Sequence, residues 1–482
     1  MTGSAGASMD AIDPKKDLHI LRSLKDAQPS QYWIDADPLE PAPHSALIGH
    51  TTAQLCVVGA GYTGLWTALL AKEANPERDV VILEARETGA GASGRNGGFV
   101  VSSLTHGWMN GQTRYPDEMP IIERMGRENL DAIEAAVRKY NIECDWERTG
   151  ELKVAAEEWQ LDGFEEEVAQ RNENGDKTEL LSAEETQRLI HSPTYHGAVF
   201  DHDGTALVDP ARLVWGLERA CLSLGVRIYE NTQVRKVEHA ANGVTVHTSF
   251  GAVFAEKVAL ATNVFKPLVR SARKFIVPVY DYVLVTEPLT AKQHEAIGWE
   301  GNEGVGDAGN QFHYYRKTSD GSILWGGWDA IYHVGGRVHQ EYEFRPESFA
   351  TLAGHFFKTF PQLDGIQFTH MWGGAIDTCS RFSPFWHLSS DGRVAYVLGF
   401  TGLGAASTRF GAQVMLDLLD GIENDRTSLT MVRRKPIPFP PEPLKYLGIQ
   451  ATRWSINQAD NNGGHRNLWL RTLDRFGLGF DS

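Results

Sequence analysis

Three glycines near the start of the chain are spaced for binding a pyrophosphate group. Gly59, Gly61 and Gly64 follow an apolar run at residues 55–58 and precede an amphipathic segment that continues to Lys72. This pattern is typical of a buried strand that turns tightly into a helix. Because glycines carry no side chain, backbone N–H groups there can approach a phosphate closely. The expected chemistry is the binding of a dinucleotide at the start of that helix.

An acidic residue beyond the glycines supports this interpretation. A second apolar run at residues 80–83 ends in Glu84, twenty positions after Gly64. A carboxylate at this place accepts hydrogen bonds from the adenosine ribose in dinucleotide-binding folds. The glycines alone are a weak signal, whereas strand, glycines, helix, strand and acid together favour such a fold. The alternative is a glycine-rich turn in an unrelated parallel sheet.

Further stretches of small residues indicate other close approaches to a cofactor. The sequence G-A-S-G-R-N-G-G occupies residues 91–98, and K-V-A-L-A-T-N at residues 257–263 predicts a buried parallel strand that ends in small and polar residues. The segment V-A-Y-V-L-G-F-T-G-L-G at residues 394–404 predicts a strand that meets a second glycine turn at a helix start. We therefore expect a second cradle at residues 401–404.

The length of the chain predicts two interleaved domains with terminal extensions, because 482 residues exceed the size at which one core usually stops growing. Helical periodicity at residues 121–140 lies outside any dinucleotide pattern, and aromatic and β-branched residues accumulate at 276–289 and 311–328. The expected division is an N-terminal extension at 1–50, a dinucleotide-binding domain at 51–110, 200–272 and 370–425, a substrate-binding domain at 111–199 and 273–369, and a C-terminal tail at 426–482.

Composition excludes several classes of partner. The net charge of −16 would repel nucleic acid and anionic membranes. No apolar run approaches the roughly 18 residues needed to span a bilayer, so membrane insertion is not expected. The four cysteines are scattered without a C-x-x-C pair, and no H-E-x-x-H spacing occurs, so we expect neither a disulfide framework nor a metal site. A cytoplasmic location fits best.

The motifs together resemble a known family. G-A-G-Y-T-G, G-A-S-G-R-N-G-G, D-G-T-A-L-V-D-P, L-A-T-N and G-F-T-G-L-G are similar to those of the D-amino-acid oxidase and glycine or sarcosine oxidase family of FAD enzymes, most closely its γ-glutamylputrescine oxidase-like branch. The resemblance implies an α/β fold in which a Rossmann-like FAD-binding domain is interleaved with a mixed-sheet α+β substrate domain. It also implies FAD as the cofactor.

The resemblance assigns cofactor contacts to particular positions. The glycines at 59–64 and Glu84 would hold the ADP half of FAD, residues 93–98 would pass along the flavin and pyrophosphate, and Val234 would contact the adenine. Arg95 is either a salt-bridge residue or a contact to phosphate or flavin. The residues expected to bind FAD are Gly59, Gly61, Tyr62, Thr63, Gly64, Glu84, Ala85, Arg86, Ala92, Ser93, Arg95, Asn96, Gly97, Gly98, Val234, Thr262, Asn263, Thr401, Gly402, Leu403 and Gly404.

The implied activity is the oxidation of a small-molecule amine or amino-acid derivative to an imine. Water then converts the imine to an aldehyde or keto product plus amine or ammonia, and oxygen is reduced to hydrogen peroxide. Sarcosine-type oxidases carry an oxygen-activating lysine on the strand that resembles residues 323–329, and this chain has none there. The alternatives are therefore a dehydrogenase that passes electrons to another acceptor and, from a different class, a flavin-binding protein without turnover.

Two other departures from the family pattern affect the expected site. Where sarcosine oxidases attach flavin through a cysteine, this chain has Gly373 or Gly374, with Cys379 several residues on, so we expect noncovalent FAD. Where they place a lysine that grips the substrate carboxylate, this chain has Ala406. A simple α-amino acid held in that way is disfavoured.

The candidate catalytic residues are Asp329, Tyr315 and Trp328. Asp329 matches a position at which sarcosine oxidases carry a pocket histidine, and its carboxylate would suit a cationic substrate group; the alternative is a structural or solvated aspartate. Strand alternation lets only one of Tyr314 and Tyr315 face the pocket. Aromatic side chains could form a pocket wall or belong to the core, and these are Tyr280, Tyr282, Trp325 and Trp328.

Overall fold

The structure, a computed structural model, describes residues 18–35, 40–265 and 267–479. Residues 1–17 of the predicted N-terminal extension lie outside the described residues. The helices are α1 (Leu18–Ser23), α2 (Tyr32–Asp35), α3 (Tyr62–Ala74), α4 (Trp108–Arg114), α5 (Met119–Lys139), α6 (Phe164–Glu173), α7 (Ala183–Leu189), α8 (Pro210–Ser223), α9 (Ala291–Ile297), α10 (Pro346–Thr359), α11 (Gly404–Asp420), α12 (Asp425–Ser428), α13 (Thr430–Arg433), α14 (Leu444–Asp460) and α15 (Leu468–Arg475).

The strands form two large sheets and one small one. They are β1 (Gly49–Val58), β2 (Val80–Leu83), β3 (Phe99–Val101), β4 (Glu151–Ala155), β5 (Thr178–Ser182), β6 (Gly197–Asp201), β7 (Thr205–Leu207), β8 (Arg227–Tyr229), β9 (Lys236–Ala240), β10 (Gly243–His247), β11 (Gly251–Leu260), β12 (Ile276–Thr286), β13 (Gly304–Asp307), β14 (His313–Lys317), β15 (Ile323–Gly327), β16 (Phe368–Cys379), β17 (Phe385–Leu388) and β18 (Val394–Leu398). The small sheet pairs β3 with β7.

The first large sheet is built around β1, which pairs in parallel with β2 and β11. Its strand order is β17-β18-β11-β1-β2-β8, and β10 and β9 extend it from β11. The four residues of β2 are all buried, as expected for a central parallel strand covered on both faces. The helices α3, α8 and α11 contribute to the core on one face. This sheet therefore brings the predicted glycine turn after β1 next to the end of β11.

The second large sheet has the order β16-β12-β15-β14-β13-β4-β6-β5. Its pairs are antiparallel except for β13 with β4. One face packs on α10 in an aromatic core that includes Tyr282, Trp325 and Phe356. The other face places Val283, Val285 and Trp372 in the core of the first sheet. One face of the second sheet therefore packs against the core of the dinucleotide-binding domain.

One predicted boundary differs from the observed pairing. The predicted boundaries put residues 370–379 in the dinucleotide-binding domain, whereas β16 pairs with β12 in the second sheet along nearly its whole length. The alternating pattern of β16 does not reveal which sheet it joins, because strands of both sheets carry apolar residues. The division of the chain into domains otherwise remains a prediction.

The C-terminal helices pack against the turn end of the second sheet. Asp460 at the end of α14 accepts hydrogen bonds from the backbone N–H groups of Asn310 (3.2 Å) and Gln311 (3.0 Å). Glu442, just before α14, accepts a hydrogen bond from the Tyr332 hydroxyl at 2.5 Å. These contacts tie residues 442–460 to the loops that follow β13 and β15. Within the described ranges, no helix has the length and apolar character needed to cross a membrane.

Candidate active site

The turn between β1 and α3 forms a cradle that only glycine permits. Gly59 has a φ of +108°, and a side chain there would place its Cβ 2.5 Å from the carbonyl oxygen of Ala261. A Cβ on Gly64 would overlap the carbonyl oxygen of Gly59, so helix and strand pack together only without it. Gly61 caps α3 and offers no side chain to the first-turn N–H groups. The Tyr62 N–H donates to the Ser93 hydroxyl, and the other first-turn N–H groups remain directed at a ligand such as a pyrophosphate.

A second loop folds over the start of α3. The Ser93 hydroxyl accepts a hydrogen bond from the backbone N–H of Tyr62 at 2.9 Å, which links residues 92–98 to the helix. The Asn96 side-chain amide donates to the carbonyl oxygen of Ser93 at 2.9 Å, and its oxygen accepts from the Gly98 N–H at 2.9 Å. Asn96 therefore fixes the loop next to Tyr62 at the start of α3.

Glu84 lies beside the first glycine turn, at the end that is predicted to hold the adenosine. Its carboxylate accepts hydrogen bonds from the backbone N–H groups of Ala60 (2.8 Å) and Arg86 (2.9 Å), and burial raises its pKa. The N–H of Thr232 donates to the carbonyl oxygen of Glu84 at 2.7 Å, which brings the segment containing Val234 alongside. Ala85 and Arg86 are exposed. The arrangement matches the one expected for a ribose and an adenine.

The opposite end of the cradle contains the predicted flavin-edge residues. Thr401 and Gly402 have φ angles of 52° and +92°, and Leu403 caps α11, which begins at Gly404. Thr262 and Asn263 follow the end of β11 beside the glycine turn, because the Ala261 N–H donates to the Val58 carbonyl at 2.9 Å. The structure therefore places the two predicted glycine turns on one side of the first sheet.

A buried carboxylate holds the second glycine turn. Asp377 on β16 accepts a hydrogen bond from the backbone N–H of Gly399 at 2.5 Å, and its own carbonyl accepts from the N–H of Thr401 at 3.3 Å. Burial raises the pKa of Asp377 to about 7. Because the turn adopts left-handed backbone angles at Gly399, Thr401 and Gly402, these bonds fix a conformation that the chain would otherwise avoid.

The chain's own donors and conformations thus fit FAD. Open N–H groups at the start of α3 suit a pyrophosphate, and the Glu84 carboxylate suits a ribose. The second glycine turn leaves room at Gly402, where a Cβ would meet nothing closer than Ile376 at 3.9 Å. Gly374 faces open space as well. No residue in these turns blocks the cofactor that the family resemblance implies.

Arg95 makes an ion pair within the chain. Its guanidinium lies 2.6 Å from the carboxylate of Glu343 and also donates to the carbonyl oxygen of Ala90 at 3.1 Å. The indole N–H of Trp372 donates to the Arg95 carbonyl oxygen at 2.9 Å. Of the two alternatives for Arg95, the structure favours the salt bridge, which joins the cofactor loop to the second sheet.

Tyr314 and Asp281 face the cofactor cradle from the second sheet. A Cβ on Gly97 would lie 2.7 Å from the Tyr314 ring, and this ring also meets Phe99 edge to face at 5.9 Å. The Tyr314 hydroxyl donates to the Asp281 carboxylate at 2.7 Å. Burial raises the pKa of Asp281 to about 6. A polar pair therefore stands above the loop at residues 93–98.

The prediction that Tyr315 is a catalytic residue is wrong. Its side chain points to the opposite face of β14, where its hydroxyl lies 2.5 Å from that of Tyr195 and its ring packs 4.5 Å from Trp325. It is 1% exposed and belongs to the core beneath α10, as do Tyr280 and Tyr282. Strand alternation placed one tyrosine of the pair at the cofactor, and that tyrosine is Tyr314.

Trp328 lies on the same far face of the sheet as Tyr315. Its ring stacks on His313 at 5.4 Å and 12° and meets His355 edge to face at 4.4 Å. It also lines a cavity of about 350 Å³ between the turn at residues 307–311 and the end of α14, near Asp460. The predicted contact with a substrate above the flavin is therefore not supported, because the sheet separates Trp328 from the cradle.

Asp329 does not offer a free charge to a substrate. Its carboxylate accepts from Arg345 at 2.7 Å, from the Ser348 hydroxyl at 2.5 Å, and from the guanidinium of Arg453 on α14. Two cations already match its charge, so the predicted ion pair with a substrate ammonium is wrong. Asp329 is instead a buried anchor for α10 and for the C-terminal helices, which is the structural alternative.

Sequence reasoning missed Asp281, and it did not single out His106, which interacts with the backbone of Thr401 in the second glycine turn. Asp281 lies on the face of β12 that otherwise carries Val279, Val283 and Val285. A single carboxylate among β-branched residues, on a strand that is buried on both faces, could have indicated a functional residue. His106 has a φ of 62° and packs its ring near Phe312 and Phe382. Nothing in its local sequence distinguishes it from the other histidines.

Cys379 lies behind the second glycine turn, with its thiol 3.8 Å from the carbonyl oxygen of Gly399. It is fully buried in the core under the first sheet, its thiol contacts the carbonyl oxygen of Ser383 at 3.2 Å, and burial raises its pKa. A protonated thiol in this position is not a nucleophile. Noncovalent attachment of the cofactor stays a prediction, now with a physical reason.

The cradle geometry predicts that Gly61→Val abolishes cofactor binding. A Cβ on Gly61 would lie 2.8 Å from the Ser93 hydroxyl oxygen, and two further methyl groups would cover the first-turn N–H groups of α3. The purified variant should show little flavin absorbance per protein chain. Gly448→Val, at a glycine on α14 with open space around it, is the control and should keep its flavin. Full flavin in Gly61→Val would contradict the assigned cradle.

The pairing of Asp329 predicts a structural effect of Asp329→Asn. Losing the charge leaves Arg345 and Arg453 without their partner, and because both are about one-third exposed, the free energy of unfolding should fall by about 1–3 kcal/mol. Denaturant titration measures this change, with Asp203→Asn at an exposed ion pair with Lys177 as the control of near-zero effect. Unchanged stability with selective loss of turnover on cationic amines would restore a substrate role.

Asp377 predicts a pH-dependent stability. Its carboxyl ionises near its ordinary value of 3.8 when unfolded and near 7 when folded, so the folded state keeps a proton that the unfolded state releases. The stability contributed by this group is lost as pH rises from about 4 to 7. Asp377→Asn cannot ionise, so its stability relative to wild type should rise by about 2 kcal/mol or more between pH 4 and pH 8. Parallel pH curves in denaturant titrations would contradict this.

The comparisons with known proteins agree with the site. A family model described as FAD dependent oxidoreductase (DAO) matches residues 54–418. The chain is 34% identical over 385 residues to gamma-glutamylputrescine oxidoreductase of Escherichia coli, covering 79% of this chain and 86% of that protein. It is 26% identical to sarcosine oxidase subunit beta of Rhodobacter capsulatus, covering 68% of this chain and 75% of that protein.

Two solved structures show the same fold. Glycine oxidase from Geobacillus kaustophilus matches with a TM-score of 0.66 at 19% identity, covering 80% of this chain and 99% of that chain. L-proline dehydrogenase from P. horikoshii matches with a TM-score of 0.63 at 19% identity, covering 78% and 95%. The predicted fold class and FAD as cofactor are confirmed. The chain belongs to the DAO family of FAD-dependent oxidoreductases.

Proposed function

We propose that this enzyme oxidises a primary or secondary amine, or an amino-acid derivative, at the carbon next to the nitrogen. The observation that carries the proposal is the anionic wall above the cofactor cradle, where Asp281 and Tyr314 face the loop at residues 93–98. A carboxylate suits a substrate that enters as an ammonium ion. The names of the relatives, which include oxidoreductases of an amine and of sarcosine, support the same substrate class.

The cofactor supplies the oxidising power. FAD, when bound, accepts a hydride from the carbon next to the amine nitrogen. The chain's part is to hold the substrate over the cradle, which the second sheet closes on one side through Tyr314 and Asp281. The resulting imine is hydrolysed by water to an aldehyde or keto product plus amine or ammonia.

The substrate is not expected to be a simple α-amino acid. Ala406 stands where sarcosine oxidases carry the lysine that grips a carboxylate, and it is 1% exposed within α11. We expect a longer amine or an amine whose carboxylate is remote or modified. The scattered cysteines, all buried and unpaired, fit a reducing cytoplasm as the place of action.

Oxygen is the proposed electron acceptor, giving hydrogen peroxide. A second candidate is a dehydrogenase that uses another acceptor, and the absence of a lysine in β15 and the two residues after it favours it, since sarcosine oxidases use a lysine there. The two differ in the fate of the electrons and share the reaction on the amine.

An amine panel tests the proposal. Putrescine, γ-glutamylputrescine, sarcosine, glycine and proline are added anaerobically to the holoenzyme, and loss of the flavin absorbance near about 450 nm is recorded. We expect bleaching by an amine without a free α-carboxylate next to the nitrogen and little by glycine. Oxygen uptake and peroxide formation during turnover then identify an oxidase; turnover only with an artificial dye acceptor identifies a dehydrogenase. No bleaching by any amine would contradict the proposal.

A further inference from the structure

The strand register places Asp281 in the wall of the substrate space. Asp281 on β12 stands opposite Gly374 on β16, and Tyr314 on β14 stands opposite Gly326 on β15, which in turn is opposite Val283. Residues opposite each other or two apart on a strand share a face, so all of these point to the same side of the sheet. That side carries Val283 in the core of the nucleotide unit.

The space in front of Asp281 is open. A side chain on Gly374, its cross-strand partner, would meet no atom within 4 Å. Two residues further along β16, Ile376 lies 3.9 Å from the place of a Cβ on Gly402, in the turn at the flavin edge. Asp281 therefore lies on the part of the wall that continues to the second glycine turn, where a substrate and the reacting end of the cofactor must meet.

The surroundings of Asp281 leave its charge unmatched. The carboxylate accepts from the Tyr314 hydroxyl (2.7 Å) and from the N–H of Tyr282 (2.8 Å). Throughout the described part of the chain, no lysine or arginine makes a hydrogen bond or ion pair with it. Asp329, two residues after β15, differs because two arginines match its charge. An unmatched carboxylate at a ligand site is suited to a cation that comes from outside.

The other groups around Asp281 set the charge it adopts. On β12, the Tyr282 N–H stabilises the charged form; on β14, the Tyr314 hydroxyl does the same; at the end of β15, the N–H of Gly327 does so too. Burial and the negative charge of Asp329 oppose it. In the facing loop, the guanidinium of Arg95 is paired with Glu343 and so adds little net charge. Together these hold the pKa of Asp281 at about 6.

We propose that Asp281 is a catalytic residue that receives the substrate as an ammonium ion and removes its proton, with Tyr314 fixing the carboxylate. One N–H bond of the ammonium breaks, the proton bonds to a carboxylate oxygen of Asp281, and the electron pair stays on nitrogen. No electron is transferred in this step. The neutral amine then can release hydride from the adjacent carbon, which an ammonium cannot. The assignment rests on the proposed amine oxidation.

The first test compares Asp281→Asn with wild type over about pH 5 to 10, using an amine that bleaches the flavin. Wild type should lose kcat/KM below about pH 6, where the carboxylate is protonated. The variant can use only the free base, which is about one part in a thousand of an alkylamine at neutral pH. At pH 7 its kcat/KM should fall at least about 100-fold and then rise about tenfold per pH unit to pH 9. A wild-type pH profile in this variant would overturn the proposal.

A binding test does not depend on turnover. Tetramethylammonium, which holds no proton to transfer and does not react, is titrated into the holoenzyme while the flavin spectrum is followed. Its affinity should rise as pH increases through 6 in wild type and should be at least about tenfold weaker in Asp281→Asn. Equal affinity in both proteins would overturn the assignment of Asp281. Failure of every amine to bleach the flavin, with this binding intact, would instead contradict only the proposed function.

The neighbouring tyrosines provide matched variants if Asp281→Asn does not fold. Tyr314→Phe removes a hydrogen bond that favours the charged carboxylate and should therefore raise the pKa of Asp281. The pH below which kcat/KM and tetramethylammonium affinity fall, the acid limb of each profile, should then move upward by about half a pH unit or more. Tyr315→Phe removes the adjacent hydroxyl, which faces Tyr195 on the far side of the sheet, and should leave both limbs in place. Identical acid limbs in the two variants would overturn the proposal.

Discussion

Close packing between the loop at residues 95–98 and the second sheet sets the geometry of the whole site. Gly97 lies against the Tyr314 ring, and a Cβ on Gly98 would lie 2.6 Å from the guanidinium of Arg316. Arg316 donates to the Val208 carbonyl at 2.7 Å, and burial lowers its pKa to about 10. Because these two glycines have no side chains, side chains of the second sheet can pack directly against the backbone of the cofactor loop. A larger residue at either place would push apart the two surfaces between which the substrate must lie.

Because the second sheet packs against the cofactor loop, strand alternation decides which side chains of β12 and β14 face the site. On β14, Tyr314 faces the cofactor loop and Tyr315 faces the core beneath α10, and on β12 Asp281 and Tyr282 divide in the same way. A one-residue shift in the register of either strand would exchange the two faces. It would bury a carboxylate in the aromatic core and turn an aromatic ring to the substrate. The core on the far face thus protects the register on which the site depends.

The sequence predicted the strand, glycine turn and helix around Gly59 well and the positions of Tyr315, Trp328 and Asp329 poorly, for a physical reason. Glycine turns are local: Gly59, Gly61 and Gly64 and the strand before them decide the conformation within a few residues. The role of Asp329 depends on Arg453, 124 positions away on a helix whose docking no local pattern indicates. Likewise, alternation shows that Tyr314 and Tyr315 face opposite sides, but only the packing of α10 shows which side is the core. Long-range contacts therefore decided each wrong assignment.

The C-terminal helices affect the site without contacting it. Asp281 lies on β12 and Asp329 follows the end of β15, and the charge of Asp329 raises the pKa of Asp281. Arg345 and Arg453 offset that charge, and Arg453 belongs to α14. With α14 undocked, Asp329 would keep only one cation, and its field would hold more of Asp281 in the protonated form at a given pH. Helix α14 therefore helps to keep the Asp281 carboxylate charged. In this way the docking of the C-terminal tail affects the charge of the proposed substrate site.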